Sequence, residues 1–406
     1  MFTIFSALDD RARAKGSRDP LGAEATWSFL GRKVVGNLTT VTANLDNFMV
    51  ALLCCAHANE QVTDPATVRE RYLRAEQVAA YLKLAADKGS RGFLGITQAK
   101  KNFEQAKIPL GTSARAQLLA SQAAYGLWGL YSSALEGAGL IAGASRRPTP
   151  AGTAVIYKIK EQLGEVRWAE FVQMTAGDNL VKSTISASGL ASVFWGALTE
   201  PALRSMAVNA LLAFQHGGAM QQELFFHAQA YLALDRRAEH RSMDFCDWVL
   251  TLSDSTPELK TALKRIQTVD PVLKFADSVM AWLQKKNGEP MMRIEQELQA
   301  KMPAMDWCSE WQQETKLPHR EFLMRLQSAA QEGSAAKVID AVLAQNRVLM
   351  RARGGAAWIE AEGANLIVRV SSDHQNSLDV LRHLGEQWRF TYFVNAFLSI
   401  TEQGLA

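Results

Sequence analysis

The sequence predicts a mainly α, multi-domain helical protein with a small C-terminal β-hairpin. Three observations lead there. Pro is scarce, at 11 of 406 residues, about half of an ordinary chain's share, so long stretches run without a helix breaker. Apolar residues recur at helical spacing, as in Val34, Leu38, Val41, Leu45, Phe48 and Leu52. Through the middle of the chain Pro and Gly fall at intervals of about 12 to 30 residues, which suits a helical bundle or an irregular helical array.

Taken in order, residues 1–64 read as an N-terminal helical segment. A polar lead-in ends at Asp19-Pro20-Leu21-Gly22, and one or two helices run from Trp27 to about Glu60. Thr63-Asp64-Pro65 interrupts the pattern, and Asp64 or Thr67 caps a helix over about 66–87 that Gly89-Ser90 ends. Residues 65–163 form the second unit. Thr97 to Ala106 is expected to be helical, Ile108 to Gly111 a loop, and Thr112 or Ser113 the cap of a long apolar helix reaching about Glu136. Gly137 to Gly143 gives a turn and a short strand, Ala144 to Arg147 an exposed tip, and Thr149 the cap of a helix to about Leu163.

Residues 164–352 read as helix after helix, without a fixed repeat period. In residues 353–406, Trp358-Ile359 and the alternating Leu366, Val368 and Val370 predict a β-hairpin. A lone hairpin is unstable, so it is expected to pack on a terminal helix from Leu378 to Thr401. That helix's apolar stripe includes Trp388, Tyr392 and Phe397. These three are candidates for docking a partner, because Trp and Tyr are enriched at interface centres; core packing is the alternative.

Apolar residues at 48% and charged residues at 21% exclude a chain disordered overall, a collagen-like repeat and a membrane bundle. The longest apolar run, Phe48 to Ala58, has 11 residues, against the roughly 20 a membrane span needs. Basic residues follow the apolar N-terminal stretch, the reverse of a secretory signal. Cys54, Cys55, Cys246 and Cys308 lack metal-ligand spacing and are expected to be reduced thiols. A cytoplasmic protein with no membrane association is the expectation.

The net charge of +3 conceals a strong asymmetry. Residues 65–160 hold 14 basic side chains against five acidic ones, a net +9, while residues 1–64 carry −1 and residues 161–406 carry −5. A compact basic stretch in an otherwise acidic chain is the footprint of a surface that meets a polyanion, where each phosphate contact releases condensed counterions.

The order of elements in the same stretch adds a resemblance. Tyr125-Gly126-Leu127-Trp128-Gly129-Leu130-Tyr131, then Gly139-Leu140-Ile141, then Arg146-Arg147-Pro148-Thr149-Pro150-Ala151-Gly152 resemble the helix, wing and following turn of winged helix-turn-helix domains. The likeness covers about a quarter of the chain, and Pro148 stands where such domains carry an apolar wing residue. It implies a capped helix in the major groove with Ser113, Arg115 and Gln117 near bases or phosphates. It also implies Arg146 and Arg147 at the wing tip, and Lys100 and Lys101 on the backbone.

Catalytic patterns are missing. There is no P-loop, no G-x-S-x-G elbow and no H-E-x-x-H. The E-x-K of Glu258-Leu259-Lys260 falls at a predicted helix start, where Glu favours the first turn. His227, Asp235, His240 and Asp244 make the densest cluster of potential ligands, at spacings that fit no known metal site. The leading expectation is thus a non-enzymatic protein without cofactors that binds double-stranded DNA and assembles with a protein partner or with itself. The alternative is a structural adaptor subunit of a bacterial multi-protein assembly, such as a phage-defence or restriction system. A third reading is an enzyme centred on the His227 to Asp244 cluster.

Overall fold

The computed structural model describes residues 19–36, 38–87, 91–213, 218–234, 241–304, 306–371 and 378–405. The fold is mainly α: among these residues nineteen α-helices are joined by three two-stranded antiparallel sheets. No helix among them is long and apolar enough to cross a membrane. Contacts divide the chain into two units that alternate along the sequence, Met1–Val34 with Arg237–Tyr392, and Val35–Arg236 with Phe393–Ala406.

In the second of these, the Leu45–Asn59 helix is the core. Its capping residue Asn44 accepts the Asn47 N–H at 3.3 Å, and nearly every residue that follows, Cys54 and Cys55 included, is buried. Burial pushes the Cys55 thiol up to about 12, which leaves it an inert apolar filler. The Pro65–Ala86 helix packs alongside, started by Asp64, whose carboxylate accepts the Thr67 N–H at 2.9 Å. The same unit is completed by the Val394–Leu405 helix near the end of the chain. Gln403 accepts the Leu45 N–H at 2.9 Å and donates to the Ala43 carbonyl at 2.9 Å, while its own carbonyl accepts Arg204 Nε at 2.7 Å.

The other unit is organised by the 27-residue Pro257–Leu283 helix, which contains Pro271 and is buried along most of its length. The Arg320–Gln331 and Ala335–Ala352 helices pack on it. Asn346, fully buried, accepts the Trp358 N–H at 2.8 Å and so seats the hairpin formed by Ile359–Glu362 and Asn365–Val368. Glu360 of that hairpin pairs with Arg347 and Arg369.

Three expectations change. The Ile108 to Gly111 segment is partly a strand, since Lys107–Pro109 pairs with Asn179–Val181. The helix expected over Leu378 to Thr401 is a 3-10 turn, Leu378–His383, an irregular segment with positive φ at Tyr392 and Phe393, and then a helix from Val394. Here Asp270 overrides helical propensity: its buried carboxylate accepts the Arg389 N–H at 2.8 Å, the Phe390 N–H at 3.3 Å and the Tyr392 hydroxyl at 2.9 Å.

The third change is the largest. The long helix expected from Thr112 to Glu136 is an irregular segment followed by three short helices, Gln122–Tyr125, Leu127–Leu130 and Ser132–Gly137. Buried side chains of the Pro65–Ala86 helix take over the backbone groups. Gln77 accepts the Gly111 N–H at 2.9 Å and donates to its carbonyl at 2.8 Å, and Glu76 accepts the Leu127 N–H at 2.7 Å and Gln122 Nε2 at 2.9 Å. Gly126 is required at this approach, because a Cβ there would lie 2.6 Å from Glu76 Oε1.

Burial pushes the Glu76 carboxyl from 4.5 up to about 7, against the lowering effect of its two hydrogen bonds. The folded state therefore holds this proton more tightly than the unfolded chain. The resulting stabilisation is complete below pH 4.5, declines as pH rises, and is lost above pH 7, a difference of about 3 kcal/mol. Relative to the wild type, urea midpoints of Glu76→Gln should be lower at acid pH and should fall less steeply across that window; an unchanged pH slope in the variant would refute this role for Glu76.

Candidate nucleic-acid interface

The basic stretch does not present its charges uniformly. Arg74 pairs with Glu70 and Asp178, Lys158 with Glu161, and Lys160 with Glu60. Lys83 lies 3.7 Å from Asp46 and over the Trp195 ring, and Arg71 donates to the Glu60 carbonyl. These cations are occupied within the unit. Arg69, Arg91, Lys100, Lys101, Lys107, Arg115 and Arg147 have no ion-pair partner among the described residues. Lys88 lies outside them.

Of these, Lys100, Lys101, Lys107 and Arg115 gather around one short helix, Ile96–Phe103. Lys100 and Lys101 occupy its last turn, where cations complement the helix dipole. Asn102, buried in the same helix, donates to the Tyr81 hydroxyl at 3.2 Å and to the Arg115 carbonyl at 3.4 Å, which fixes the exposed Arg115 segment beside it. Lys107 opens the adjoining strand opposite Val181. Lys182 follows from the paired strand: its N–H donates to the Ala106 carbonyl at 3.1 Å and its ammonium lies 5.1 Å from the Phe103 ring. Glu104 is the only carboxylate in residues 96–117.

Sequence reasoning singled out Lys100, Lys101 and Arg115 but not Lys107 and Lys182. Lys182 lies outside the basic stretch and joins it only through the strand pairing, which a three-residue segment containing Pro109 hardly signals.

The other expected contact residues stand differently. Ser113 and Arg115 are exposed on the irregular segment rather than on a helix. Gln117 is engaged locally, donating to the Thr112 carbonyl at 2.8 Å and accepting the Gln122 N–H at 3.0 Å. Arg147 is exposed on the hairpin Ile141–Ala142 with Arg147–Pro148. Arg146, expected at an exposed tip, turns inward. With φ of 50°, it stacks its guanidinium 3.7 Å from the Trp128 ring centre and donates to Ser132. Trp128 is itself wedged edge-on against Tyr72, 5.0 Å away. Desolvation in this stack lowers the Arg146 pKa, although the guanidinium remains charged.

The expected docking stripe also separates. Tyr392 and Phe397 are buried, at 0% exposure, and belong to cores. Trp388 alone is half-exposed. Asp235 and His240 lie outside the described residues; His227 Nε2 is 3.6 Å from Glu223, and Asp244 lies in the Arg241–Thr251 helix. Among the described residues no group of three or more His, Cys, Asp or Glu side chains is placed to hold a metal ion.

The turn after the hairpin is tightly built. Thr149 donates to the Gly139 carbonyl at 2.6 Å and caps the Pro150–Leu163 helix by accepting the Gly152 N–H at 3.2 Å. A Cβ at Gly152 would lie 2.0 Å from the Leu140 carbonyl oxygen.

No family model, no curated protein and no solved structure matches this chain.

Two substitutions test this reading of the hairpin. Gly152→Ala should lower the stability of the protein by about 1–3 kcal/mol through overpacking against backbone. Arg146→Ala should cost about 1–2 kcal/mol by removing the stack on Trp128. Urea denaturation followed by tryptophan fluorescence measures both, and a neutral Arg146→Ala would mean that the stack does not support the hairpin.

Proposed function

We propose that this protein binds duplex DNA without catalysing a reaction, through the phosphate backbone, using the basic cluster around the Ile96–Phe103 helix. The observation that carries the proposal is the convergence of Lys100, Lys101, Lys107, Arg115 and Lys182 on one short helix and its strand pair with no ion-pair partner among the described residues. Cations held by a folded scaffold but left without counter-charges are suited to phosphates, because binding releases counterions rather than breaking internal salt bridges. Arg69 and Arg71 form a second basic region at the other end of the Pro65–Ala86 helix, and Arg147 is exposed on the separate hairpin. Arg71 and Tyr81 mark the two regions, about 15 Å apart along that helix. This spacing favours backbone contacts at two places over base reading by one recognition helix.

A protein partner is the second part of this reading. Phe226 and Leu405 remain 54% and 52% exposed on two helices that pack against one another, an arrangement suited to an adaptor that docks another subunit or a second copy.

The test is binding of a labelled duplex over a salt series. Lys101→Ala and Arg115→Ala should each reduce the slope of log affinity against log salt by about 1. Arg146→Ala should leave the slope unchanged in the folded protein, because its charge is turned inward. Undetectable binding, or binding insensitive to salt, would eliminate the DNA reading; a stable protein complex that excludes DNA would favour the adaptor.

A further inference from the structure

A cavity of about 210 Å³ opens at the midpoint of the Pro257–Leu283 helix. Its wall includes Pro271, Trp307, Trp388, Met243, Asp306 and Cys308. At this volume it exceeds an engineered cavity of about 150 Å³ that admits benzene, and it falls below the range of drug-sized pockets. It suits one small organic group.

The two indoles are held in place from behind. Trp307 packs edge-on against Phe275 at 5.5 Å and Trp388 against Tyr392 at 5.4 Å, with interplanar angles of 61° and 75°. Two fixed indoles with a methionine beside them form an aromatic and polarisable enclosure of the type that attracts cations through ring quadrupoles.

The electrostatics have the matching sign. Asp306 is exposed on the cavity wall without a hydrogen bond or ion pair to another described residue. Gln267, also on the wall, donates to Asp247 at 3.0 Å. Burial first, and then Glu310 and Asp306, push the Cys308 thiol up, so the thiol itself registers a negative environment. The cations packed nearby are already matched. Lys274 donates to the His383 and Gln387 carbonyls at 2.7 and 3.1 Å and is offset by Asp270. Arg389 pairs with Asp277 at 2.8 Å.

We propose that this cavity binds an alkylated ammonium ion, the chemical class of choline and of the trimethyl-lysine side chain. Methyl groups on nitrogen spread the positive charge over an apolar surface, which the indoles and Met243 can cover while Asp306 balances the charge from the rim. The reading is independent of DNA binding, since every residue it uses belongs to the unit built on the Pro257–Leu283 helix.

The test uses the full chain and titrates it with choline by calorimetry, beside 3,3-dimethylbutan-1-ol, the uncharged analogue of the same shape. Choline should bind, and the alcohol should bind about tenfold more weakly, a difference within the range of a desolvated cation–π contact. Asp306→Asn, an exposed and nearly isosteric change, should weaken choline about three- to tenfold and leave the alcohol unaffected. As a second readout, choline should slow alkylation of Cys308 by N-ethylmaleimide, since Cys54, Cys55 and Cys246 are buried. Equal binding of choline and the alcohol, or no choline binding at tens of millimolar, would overturn the proposal. A peptide carrying trimethyl-lysine that binds more tightly than choline would identify a protein side chain as the source; parity would identify a small molecule.

Discussion

Glu76 is a carboxylate with no solvent exposure in the middle of a helix, and the irregular segment that follows Gly111 folds onto it. A buried carboxylate is costly unless its oxygens are satisfied. Glu76 meets that requirement with groups the rest of the chain needs to place, the Leu127 N–H and the Gln122 amide. Gln122 in turn accepts the Leu118 N–H, and neighbouring Gln77 clamps Gly111 from both sides. Thus the irregular run between Gly111 and Leu127 is held at both ends by one turn of the Pro65–Ala86 helix. Asp270 does the same work in the other unit, where its carboxylate collects three donors from residues 389–392 and burial raises it to about 6. In both cases a long regular helix supplies a polar group to its own interior side, and an irregular segment folds onto that group.

This device explains which parts of the fold were legible in the sequence. Elements with local signals were readable: the Asp64 cap, the Thr149 cap, the 3.6-residue pattern around Phe48, and the alternating pattern of the C-terminal hairpin all depend on residues close in sequence. The Thr112 to Glu136 and Leu378 to Thr401 segments depart from the helical expectation because their conformations are fixed largely by groups distant in sequence, as Glu76 with Leu127 and Asp270 with Arg389. Periodicity has no access to such bonds. The resemblance to winged helix-turn-helix domains rested on the first of those segments, and the helix it required is absent there; its short hairpin and capped turn are present.

The charge asymmetry was legible as a total but not as a surface. Net +9 over residues 65–160 is a property of composition, whereas availability depends on which carboxylates and rings lie within reach. Arg146 and Arg147 are adjacent in sequence, yet one is stacked on Trp128 and the other is exposed. The positive φ at Arg146 turns its side chain from the hairpin tip toward the core. Conversely, Lys182 joins Lys107 only because Ile108 pairs with Leu180. Exposed charge is a tertiary property, and regional sums identify where to look for it.

The unit containing Val35–Arg236 recovers its last helix only after the chain has passed through the whole of Arg237–Tyr392. Gln403 then satisfies Leu45, Ala43 and Arg204 together, and Gly404 lies where a Cβ would stand 2.5 Å from Val208. At ribosomal speeds of about 5–20 residues per second, the interval between making the first part and its closing helix is on the order of ten to thirty seconds. During translation the apolar groove destined for Phe397 and Ile400 is therefore open, and the intervening unit can fold first. The order of synthesis and the order of completion are therefore inverted in this chain.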